Sequence, residues 1–316
     1  MTTLASACPF CGMQALQAQH TGARDYITGH EFSVLICPAC GGGHTAPIPA
    51  DFSLYYPALY RRYRKSIAAI IGMFYSQRVA RWLKDHPQPG SAFELGCGDG
   101  SMLAILRNHG WRVLGCERSQ AAAQLARDVS GIDVLAGELD AVPADAVFDL
   151  ILLIQALEHM KNPAEILTRL AGMLAPGGKL IIAVPNFGSW QARFGGKAWF
   201  HLDVPRHVSH FTIKALAALT ASTGLEVQRI SFESFEHDPY GWIQSTLNLL
   251  DPQPNRLTRL LMRLDSPDIM NLLHLFAACL LGPIAILAAM FSCAARRGAI
   301  IEVTCALRAT VQPATS

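Results

Sequence analysis

The chain has 316 residues, with 26 Lys and Arg against 24 Asp and Glu, so its formal net charge is +2. An apolar content of 51% and a mean hydropathy of +0.25 exclude an intrinsically disordered chain. The near balance of charge is atypical of a protein whose main partner is a nucleic-acid backbone, because such domains usually carry a clear basic excess.

The N-terminal 50 residues contain two pairs of cysteines with the spacing of a structural zinc site. Cys8 and Cys11 lie in CPFCG, and Cys37 and Cys40 lie in CPACG. Four thiolates on such turns bind one Zn²⁺ as a closed tetrahedral site, which leaves no position for catalysis. The intervening YITGHEFSVLICPAC is typical of a β-hairpin that brings the pairs together. We predict a zinc ribbon here; free thiols or a redox-active pair are the alternative.

A glycine-rich loop follows a short apolar segment in SAFELGCGDG, and the helix-like SMLAILRNHG comes next. Its glycines are Gly96, Gly98 and Gly100. Glycines let the backbone pass close to a ligand, and a helix N-terminus adds N–H donors. Glu117 lies about 20 residues further on, where an acid can accept hydrogen bonds from ribose hydroxyls. The G-x-G-x-G spacing lacks the third glycine of dinucleotide-binding loops, which removes the main support for a pyrophosphate ligand.

Apolar segments alternate with helical patterns after this loop. Strands are predicted near residues 91–96, 111–116, 132–136, 147–154 and 178–184. This alternation builds a parallel sheet, and FDLILLI has the apolar character of its central strand. The segment NPAEILTRLAGMLAPGG is predicted as a helix that begins at a proline and ends at Gly-Gly.

Four motifs in this order resemble those of class I S-adenosylmethionine-dependent methyltransferases. They are FELGCGDG, LGCERS, AGELDAVPADAVFDLILLIQALEHM and LAPGGKLIIAVPN. The segment that follows looks like that of a bacterial subset related to the ubiquinone-biosynthesis O-methyltransferases, several of which carry an N-terminal ribbon. The resemblance runs from about residue 91 to 224 and resumes near residue 299.

This resemblance implies an α/β fold with a Rossmann-like sheet and helices on both faces. A zinc ribbon precedes the sheet, and an apolar helical insertion comes before its last strand. The expected domains are a ribbon over 1–50, a linker and first helix over 51–90, and a methyltransferase domain over 91–316 with the insertion at 233–298.

The resemblance also implies S-adenosylmethionine as the cofactor. Eight positions match the family's cofactor-binding motifs: Glu94, Gly96, Gly98, Gly100, Glu117, Glu138, Leu139 and Gln155. The first four would shape the loop under the methionine part, and Glu117 would bind the ribose diol. Glu138 and Leu139 match the adenine segment, where the family more often has Asp first. Gln155 falls beside the cofactor at the end of the fourth strand.

Methyl transfer from a sulfonium depends mainly on alignment of the nucleophile with the methyl group. For a hydroxyl, amine or acidic-carbon acceptor, a histidine of near-neutral pKa is the natural proton acceptor. His159 is the first candidate, followed by His210 and His207 in the pocket-forming HLDVPRHVSHFT. The alternative for each is a histidine that bonds the backbone and holds its loop. The upstream YYPALY is expected near the cofactor entrance.

The insertion separates LEVQRISF from AIIEVTCALRA, which look like the sixth and seventh strands. Residues 269–295 contain no Asp, Glu, Lys or Arg, and this length suffices for a transmembrane helix. A single crossing, however, would place the seventh strand on the far side from its sheet. Gly282-Pro283 further predicts two shorter helices with a bend.

Upstream of this apolar stretch, NRLTRLLMRLD has the pattern of a basic amphipathic helix. Arg256, Arg259 and Arg263 are predicted on one face, next to leucines. Residues 255–295 are therefore expected to contact an anionic membrane peripherally. A soluble helical cap or a dimer surface is the alternative.

The leading hypothesis is O-, N- or C-methylation of a small, apolar or lipid-linked acceptor in the cytoplasm, at or near the inner face of the cell membrane. No secretory signal pattern precedes the ribbon. One alternative is an rRNA or tRNA methyltransferase. Against it, LLIQALEH lacks the Asn/Asp-Pro-Pro-aromatic motif that serves methylation of an exocyclic base nitrogen. The local basic cluster of Arg61, Arg62, Arg64 and Lys65 is interpreted as the solvated start of a helix. The other is a non-catalytic scaffold on the same fold. The acceptor and the oligomeric state stay open.

Overall fold

The computed structural model of the chain describes residues 7–14, 16–56, 65–86 and 88–308, with the backbone alone for 65–70. Three residues of the basic cluster, Arg61, Arg62 and Arg64, lie outside these ranges, as does the end of YYPALY. All the predicted strands lie inside them.

A seven-stranded sheet forms the centre of residues 91–316, the expected methyltransferase region. Its strands are β4 (Ser91–Leu95), β5 (Arg112–Glu117), β6 (Val134–Ala136), β7 (Phe148–Ile154), β8 (Leu174–Pro185), β10 (Leu225–Ser231) and β11 (Ile300–Leu307). The order is β10-β11-β8-β7-β4-β5-β6. The five strands from β4 to β8 pair in parallel, whereas β11 is antiparallel to both β8 and β10. The predicted parallel sheet is confirmed, and β7 is its apolar central strand.

Helices lie between several of the parallel strands, as the alternating pattern predicts, and others precede or follow this part of the sheet. They are α1 (Lys65–Asp85), α2 (Ser101–Asn108), α3 (Gln120–Ser130), α4 (Pro163–Gly172), α5 (Trp190–Gly195) and α6 (Ile213–Ser222). The proline start of α4 is confirmed, but its predicted Gly-Gly end is wrong. The helix ends at Gly172, and LAPGG belongs to β8, whose Leu174 pairs with Phe148 before a register shift. Burial of Leu174 against the sheet outweighs the local preference of glycine for a helix stop.

The N-terminal segment folds as an antiparallel sheet of β1 (Gln17–Arg24), β2 (Glu31–Ile36) and β3 (Gly43–Ala46). This is the predicted hairpin with one more strand. A fourth strand, β9 (Ser209–His210), comes from the methyltransferase region and pairs with β3. The ribbon sheet is thus completed by a segment more than 160 residues away in sequence.

Three helices lie between β10 and β11: α7 (Asp238–Leu250), α8 (Arg256–Leu261) and α9 (Ile269–Ala294). The prediction of two short helices in the apolar stretch is wrong, since α9 is one helix of 26 residues with Pro283 inside it. A proline removes one backbone donor, and the preceding Gly282 has no side chain to add crowding at this turn. The many remaining hydrogen bonds of so long a helix keep it continuous.

The distribution of polar and apolar side chains on α9 is the reverse of that on a surface helix of a soluble protein. Its buried side chains are Asn271, His274, Ala285, Ala289 and Ser292, which are polar or small. Its exposed side chains are large and apolar, and they include Leu272, Phe276, Leu280, Ile284, Leu287 and Phe291, each more than half exposed. By length and composition it is the one helix among the described residues that could cross a membrane. It follows α8, whose Arg259 donates to the backbone carbonyl of Tyr26, and it leads into β11 of the seven-stranded sheet.

The arginines upstream of α9 differ from their prediction. The helix α8 ends at Leu261, so Arg263 lies beyond it and does not share its face. Arg256 bonds Asp251 at 2.6 Å, and Arg259 bonds both carboxylate oxygens of Asp265 at 2.5 and 2.7 Å. These ion pairs compensate two of the three charges that the sequence offers to an anionic surface.

Arg206 joins the ribbon to the methyltransferase region. Its side chain is fully buried and pairs with Asp25 on the β1–β2 turn at 2.7 Å. It also bonds Asp203 and the backbone carbonyl of Tyr55. Its guanidinium lies 4.3 Å from the ring centroid of Tyr26. A buried charge with these partners fixes where the ribbon sits.

We predict that Arg206→Met lowers the free energy of unfolding by about 3–5 kcal/mol, because it leaves the Asp25 carboxylate buried without its cation. Denaturant titration measures this change. Arg24→Met is the matched control, since the Arg24–Glu31 pair is more than half exposed and is worth about 0–1 kcal/mol. Equal losses for the two variants would contradict the assigned role of Arg206.

Candidate cofactor and acceptor site

The glycine loop lies at the carboxyl end of β4 and leads into α2. Gly96, Gly98 and Gly100 have φ values of +76°, +57° and +73°, in the left-handed region. Residues with side chains rarely adopt this conformation, so the sequence pattern here follows from the backbone path. A Cβ added at Gly98 would meet nothing within 4 Å. The loop therefore has open space beside its backbone, as a cofactor cradle requires.

The ribose acid predicted from sequence faces this loop. Glu117 ends β5, and its Oε2 accepts a hydrogen bond of 3.1 Å from the backbone N–H of Gly98. Glu138 and Leu139 follow β6, the neighbouring strand, where Leu139 is buried and Glu138 is exposed. The carboxyl ends of β4, β5 and β6 thus bring the loop and these residues to one edge of the sheet.

Two buried polar atoms at this edge have no hydrogen-bond partner among the described residues. They are Oε2 of Glu94 and Nε2 of Gln155. Burial, and then repulsion from Asp99 and Glu117, raise the pKa of Glu94 well above its usual value. Gln155 follows β7 with a φ of +51°, a strained conformation for a residue with a side chain. Orphaned polar groups beside an open loop fit a polar cofactor, and an acidic edge fits the cationic methionine part of S-adenosylmethionine.

The structure brings two of the three candidate histidines together. His159 ends a short 3-10 helix after β7, and its ring centroid lies 4.7 Å from that of His207. The Nδ1 of His159 is 2.9 Å from the carbonyl of Arg206 and 3.3 Å from the hydroxyl of Tyr56. Tyr56 is the last described residue of YYPALY, the segment expected near the cofactor entrance.

His210 lies apart in the packed contact between β9 and the ribbon. Its Nε2 is 2.9 Å from the hydroxyl of Thr45 on β3, and its ring packs on Phe187. Burial, and then repulsion from His44 and His20, lower the pKa of His210 to about 3. This is the environment of a histidine that holds a strand, the alternative weighed for it.

Sequence reasoning missed the acids around the two histidines. Glu158 precedes His159 and is buried, with Oε1 3.9 Å from Nε2 of His207. Asp203 contributes Oδ2 at 3.7 Å from the same nitrogen. The signal was present as an acid adjacent to one histidine and another four residues before the second.

The four ribbon cysteines also meet. Sγ of Cys8 lies 3.6 Å from that of Cys40, and Sγ of Cys11 lies 3.6 Å from that of Cys37. All four sulfurs fall within 4.8 Å of one another. Tetrahedral Zn²⁺ with Zn–S bonds of about 2.3 Å requires sulfurs about 3.8 Å apart, so this arrangement fits the metal. Burial opposes the thiolate, but backbone N–H groups of Cys40 and Ala39 lower the pKa of Cys37 to about 7.

The fold is that of class I S-adenosylmethionine-dependent methyltransferases. It has their sheet with one antiparallel strand, a glycine loop after β4 and an acid at the end of β5. A family model described as a methyltransferase domain matches residues 60–230, more than half of the chain. The chain belongs to this methyltransferase domain family.

Relatives and solved structures carry related names. An uncharacterized methyltransferase of Alkaliphilus oremlandii is 27% identical over 137 residues, which are 42% of this chain and 59% of that protein. A ubiquinone biosynthesis O-methyltransferase of Stutzerimonas stutzeri is 25% identical over 114 residues, 33% of this chain and 49% of that protein. The match thus spans about half the length of these relatives. The structure of an S-adenosylmethionine-dependent methyltransferase from Archaeoglobus fulgidus covers 74% of this chain and 93% of its own, with 15% identity and a TM-score of 0.47.

We predict that Glu117→Ala raises the Kd for S-adenosylmethionine at least about tenfold, because a hydrogen bond to a charged group is worth about 1.5–3 kcal/mol. Isothermal titration calorimetry measures the change. Glu226→Ala, an exposed acid on β10 at the opposite edge of the sheet, is the matched control and should bind like wild type. An unchanged Kd in folded Glu117→Ala would reject the ribose assignment.

Proposed function

We propose that this protein methylates a small, apolar or lipid-linked acceptor at the cytoplasmic face of a membrane, with S-adenosylmethionine as donor. The family supports the donor, and the relative named for ubiquinone biosynthesis agrees with an apolar acceptor. The observation that carries the acceptor class is the outward apolar face of α9. Transfer to RNA or a purely structural role has no comparable observation in its favour.

The apolar helix is tied to the edge of the sheet that carries the cofactor loop. After α9 the chain enters β11, where Ile300 pairs with Pro185 at the carboxyl end of β8. Asn186 donates through its backbone N–H and its side chain to the carbonyls of Ala299 and Gly298. An apolar molecule dissolved in a bilayer under α9 would therefore reach the protein close to the edge where methyl transfer takes place.

The proposed binding of α9 to the membrane depends mainly on burial of its apolar side chains. Ion pairs compensate Arg256 and Arg259, while Arg263, Arg296 and Arg297 are exposed at the two ends of α9. Fully burying one large apolar side chain contributes about 1.5–3 kcal/mol, whereas a basic residue near an anionic surface contributes about 1 kcal/mol. Because both ends of α9 return to the same body, the helix lies at the membrane surface in this proposal and does not cross it.

The residues of the cofactor edge bind and orient the donor. Bound S-adenosylmethionine supplies an electrophilic methyl group on a sulfonium. In the proposal the glycine loop and Glu94 hold the methionine part, Glu117 holds the ribose, and Glu138 with Leu139 lies along the adenine. Gln155 supplies a buried amide at the end of β7. It lies beside the proposed acceptor side, the region of Glu158, His159 and His207 that follows β7.

On the acceptor side, hydrogen bonds fix the tautomers of His159 and His207. Each Nδ1 lies within 2.9 Å of a backbone carbonyl, which can only accept, so each Nδ1 carries the proton. Each neutral ring then has its lone pair on Nε2, the nitrogen that can take a proton or bind an electrophile. We assign His210 a positioning role, because its low pKa and its bond to Thr45 suit it to holding β9.

We further propose that the four cysteines hold a structural zinc ion that docks the ribbon. The turn of the first cysteine pair packs on the methyltransferase region through Phe10, whose ring centroid is 5.0 Å from that of Phe211. The hydroxyl of Thr212, the N-cap of α6, donates to the carbonyl of Cys40 at 2.6 Å. A closed site at this position would stabilise β9 and the segment that carries His207.

Cys37→Ser should lower the bound zinc by one ion per chain and lower the thermal midpoint, because three thiolates and a hydroxyl hold Zn²⁺ weakly. Metal analysis after gel filtration measures the first change, and calorimetry measures the second. Cys279→Ser on the exposed face of α9 is the matched control. Wild-type zinc content in Cys37→Ser would rule out the four-sulfur site.

Flotation with liposomes tests the membrane contact, and transfer of labelled methyl to a lipid extract in the same tubes tests the activity. Wild type should float with neutral phosphatidylcholine vesicles and somewhat better with added phosphatidylglycerol. The double variant Phe276→Glu, Ile284→Glu loses about 1.5–3 kcal/mol of apolar transfer at each position, so binding should fall at least about 100-fold. Val129→Glu, equally exposed on α3, is the control. Equal flotation of both variants would contradict the contact.

A further inference from the structure

A second group of metal-ligating side chains lies on the acceptor side. Candidate ligand atoms of Glu158, His159 and His207 all fall within 4.8 Å of one another. Glu158 and His207 are almost fully buried, at 1% and 3% exposure, and His159 is half-buried. The group stands directly after β7, next to Gln155 and the cofactor edge. It is separate from the four cysteines and is built from residues 48 positions apart in sequence.

Both imidazoles have the orientation found in metal-binding histidines. Such a histidine donates its second ring N–H to a carboxylate or a backbone carbonyl, which fixes the ring and directs the other nitrogen to the ion. Here Nδ1 of His159 donates to the carbonyl of Arg206, and Nδ1 of His207 donates to that of His201 at 2.8 Å. The main chain therefore presets Nε2 as the ligand atom in each ring.

The acids complete the group at ligand spacing. Nε2 of His207 is 3.9 Å from Oε1 of Glu158 and 3.7 Å from Oδ2 of Asp203. These distances are too long for a direct hydrogen bond. They suit two donors on one ion, since metal–ligand bonds of about 2.0–2.2 Å place neighbouring donors roughly 3–4 Å apart. The guanidinium of Arg206 bonds Oδ1 of Asp203 at 2.6 and 2.9 Å, and Oδ2 of the same carboxylate is the oxygen that lies 3.7 Å from the histidine.

We infer that Glu158, His159 and His207 bind a divalent cation, with Asp203 as a further ligand, and that this ion holds a hydroxyl or phenol of the acceptor. Two imidazoles with a carboxylate favour Mn²⁺, Fe²⁺ or Zn²⁺ over Ca²⁺. The inference deepens the proposed function, on which its acceptor part rests. It narrows the acceptor to a molecule with an oxygen nucleophile.

The step balances without another reactant. The cation lowers the pKa of the acceptor hydroxyl, whose proton passes to water. The oxygen forms a bond to the methyl carbon while the carbon–sulfur bond breaks, and that electron pair returns to sulfur. The products are a methyl ether, S-adenosylhomocysteine and one proton. With Nε2 on the metal, His159 is a ligand in this step and takes no proton.

Mn²⁺ titration followed by electron paramagnetic resonance tests the site in the full-length protein, because four-thiolate sites bind Mn²⁺ poorly. We expect one Mn²⁺ per chain in the absence of cofactor and acceptor. Glu158→Gln, which keeps the side-chain volume, and His207→Ala should each weaken binding at least about tenfold. Glu165→Gln and His109→Gln, exposed on α4 and after α2, are the matched controls and should bind like wild type.

The following outcomes distinguish the metal-site proposal from the proposed acceptor. Retained S-adenosylmethionine binding shows that a variant is folded, so absence of Mn²⁺ binding in folded wild type overturns the metal site. Methyl transfer that survives chelation but is lost in His159→Ala overturns it as well and makes His159 the base. Mn²⁺ bound at this site, with no methyl transfer to any hydroxyl in the lipid extract, supports the site and counts against the proposed acceptor.

Discussion

The buried guanidinium of Arg206 is the interaction on which the arrangement of the site depends. Its charge is balanced by Asp25 of the ribbon and Asp203 of the acceptor side. Its own carbonyl accepts from Nδ1 of His159. A charge removed from water is tolerated only while its partners stay in contact. The ribbon turn, the Asp203 segment and the 3-10 helix after β7 are therefore held together through this one side chain and its carbonyl.

The same principle sets the orientation of α9. Buried polar contacts anchor its inner face: His274 lies 3.1 Å from Asp251, and Asn271 bonds the carbonyl of Ser266. Turning the helix to hide its leucines would expose those side chains and break the contact between Asp251 and His274. A helix that places its polar side chains inside and its large apolar side chains outside requires an apolar surrounding, and this is why the membrane enters the proposed function.

Much of the fold could be predicted from the sequence, because its signals are local. The apolar run in FDLILLI, the glycines after β4 and the cysteine pairs each reflect a constraint acting within a few residues, and each appears in the structure as predicted. Predictions that depended on competition between local and distant contacts were wrong. LAPGG has the composition of a helix stop but pairs in β8, and Pro283 lies inside a continuous helix.

By itself the sequence determined the class of fold, the glycine loop and the clustering of four cysteines, since backbone conformation and strand pattern are encoded locally. Only the tertiary structure decided which histidines meet. His159 and His207 converge with Glu158 and Asp203, whereas His210, three residues beyond His207, bonds Thr45 of the ribbon. His207 precedes β9 and packs against His159, whereas His210 lies in β9 and packs on Phe187, so the different surroundings of the strand and of the segment before it separate the two rings.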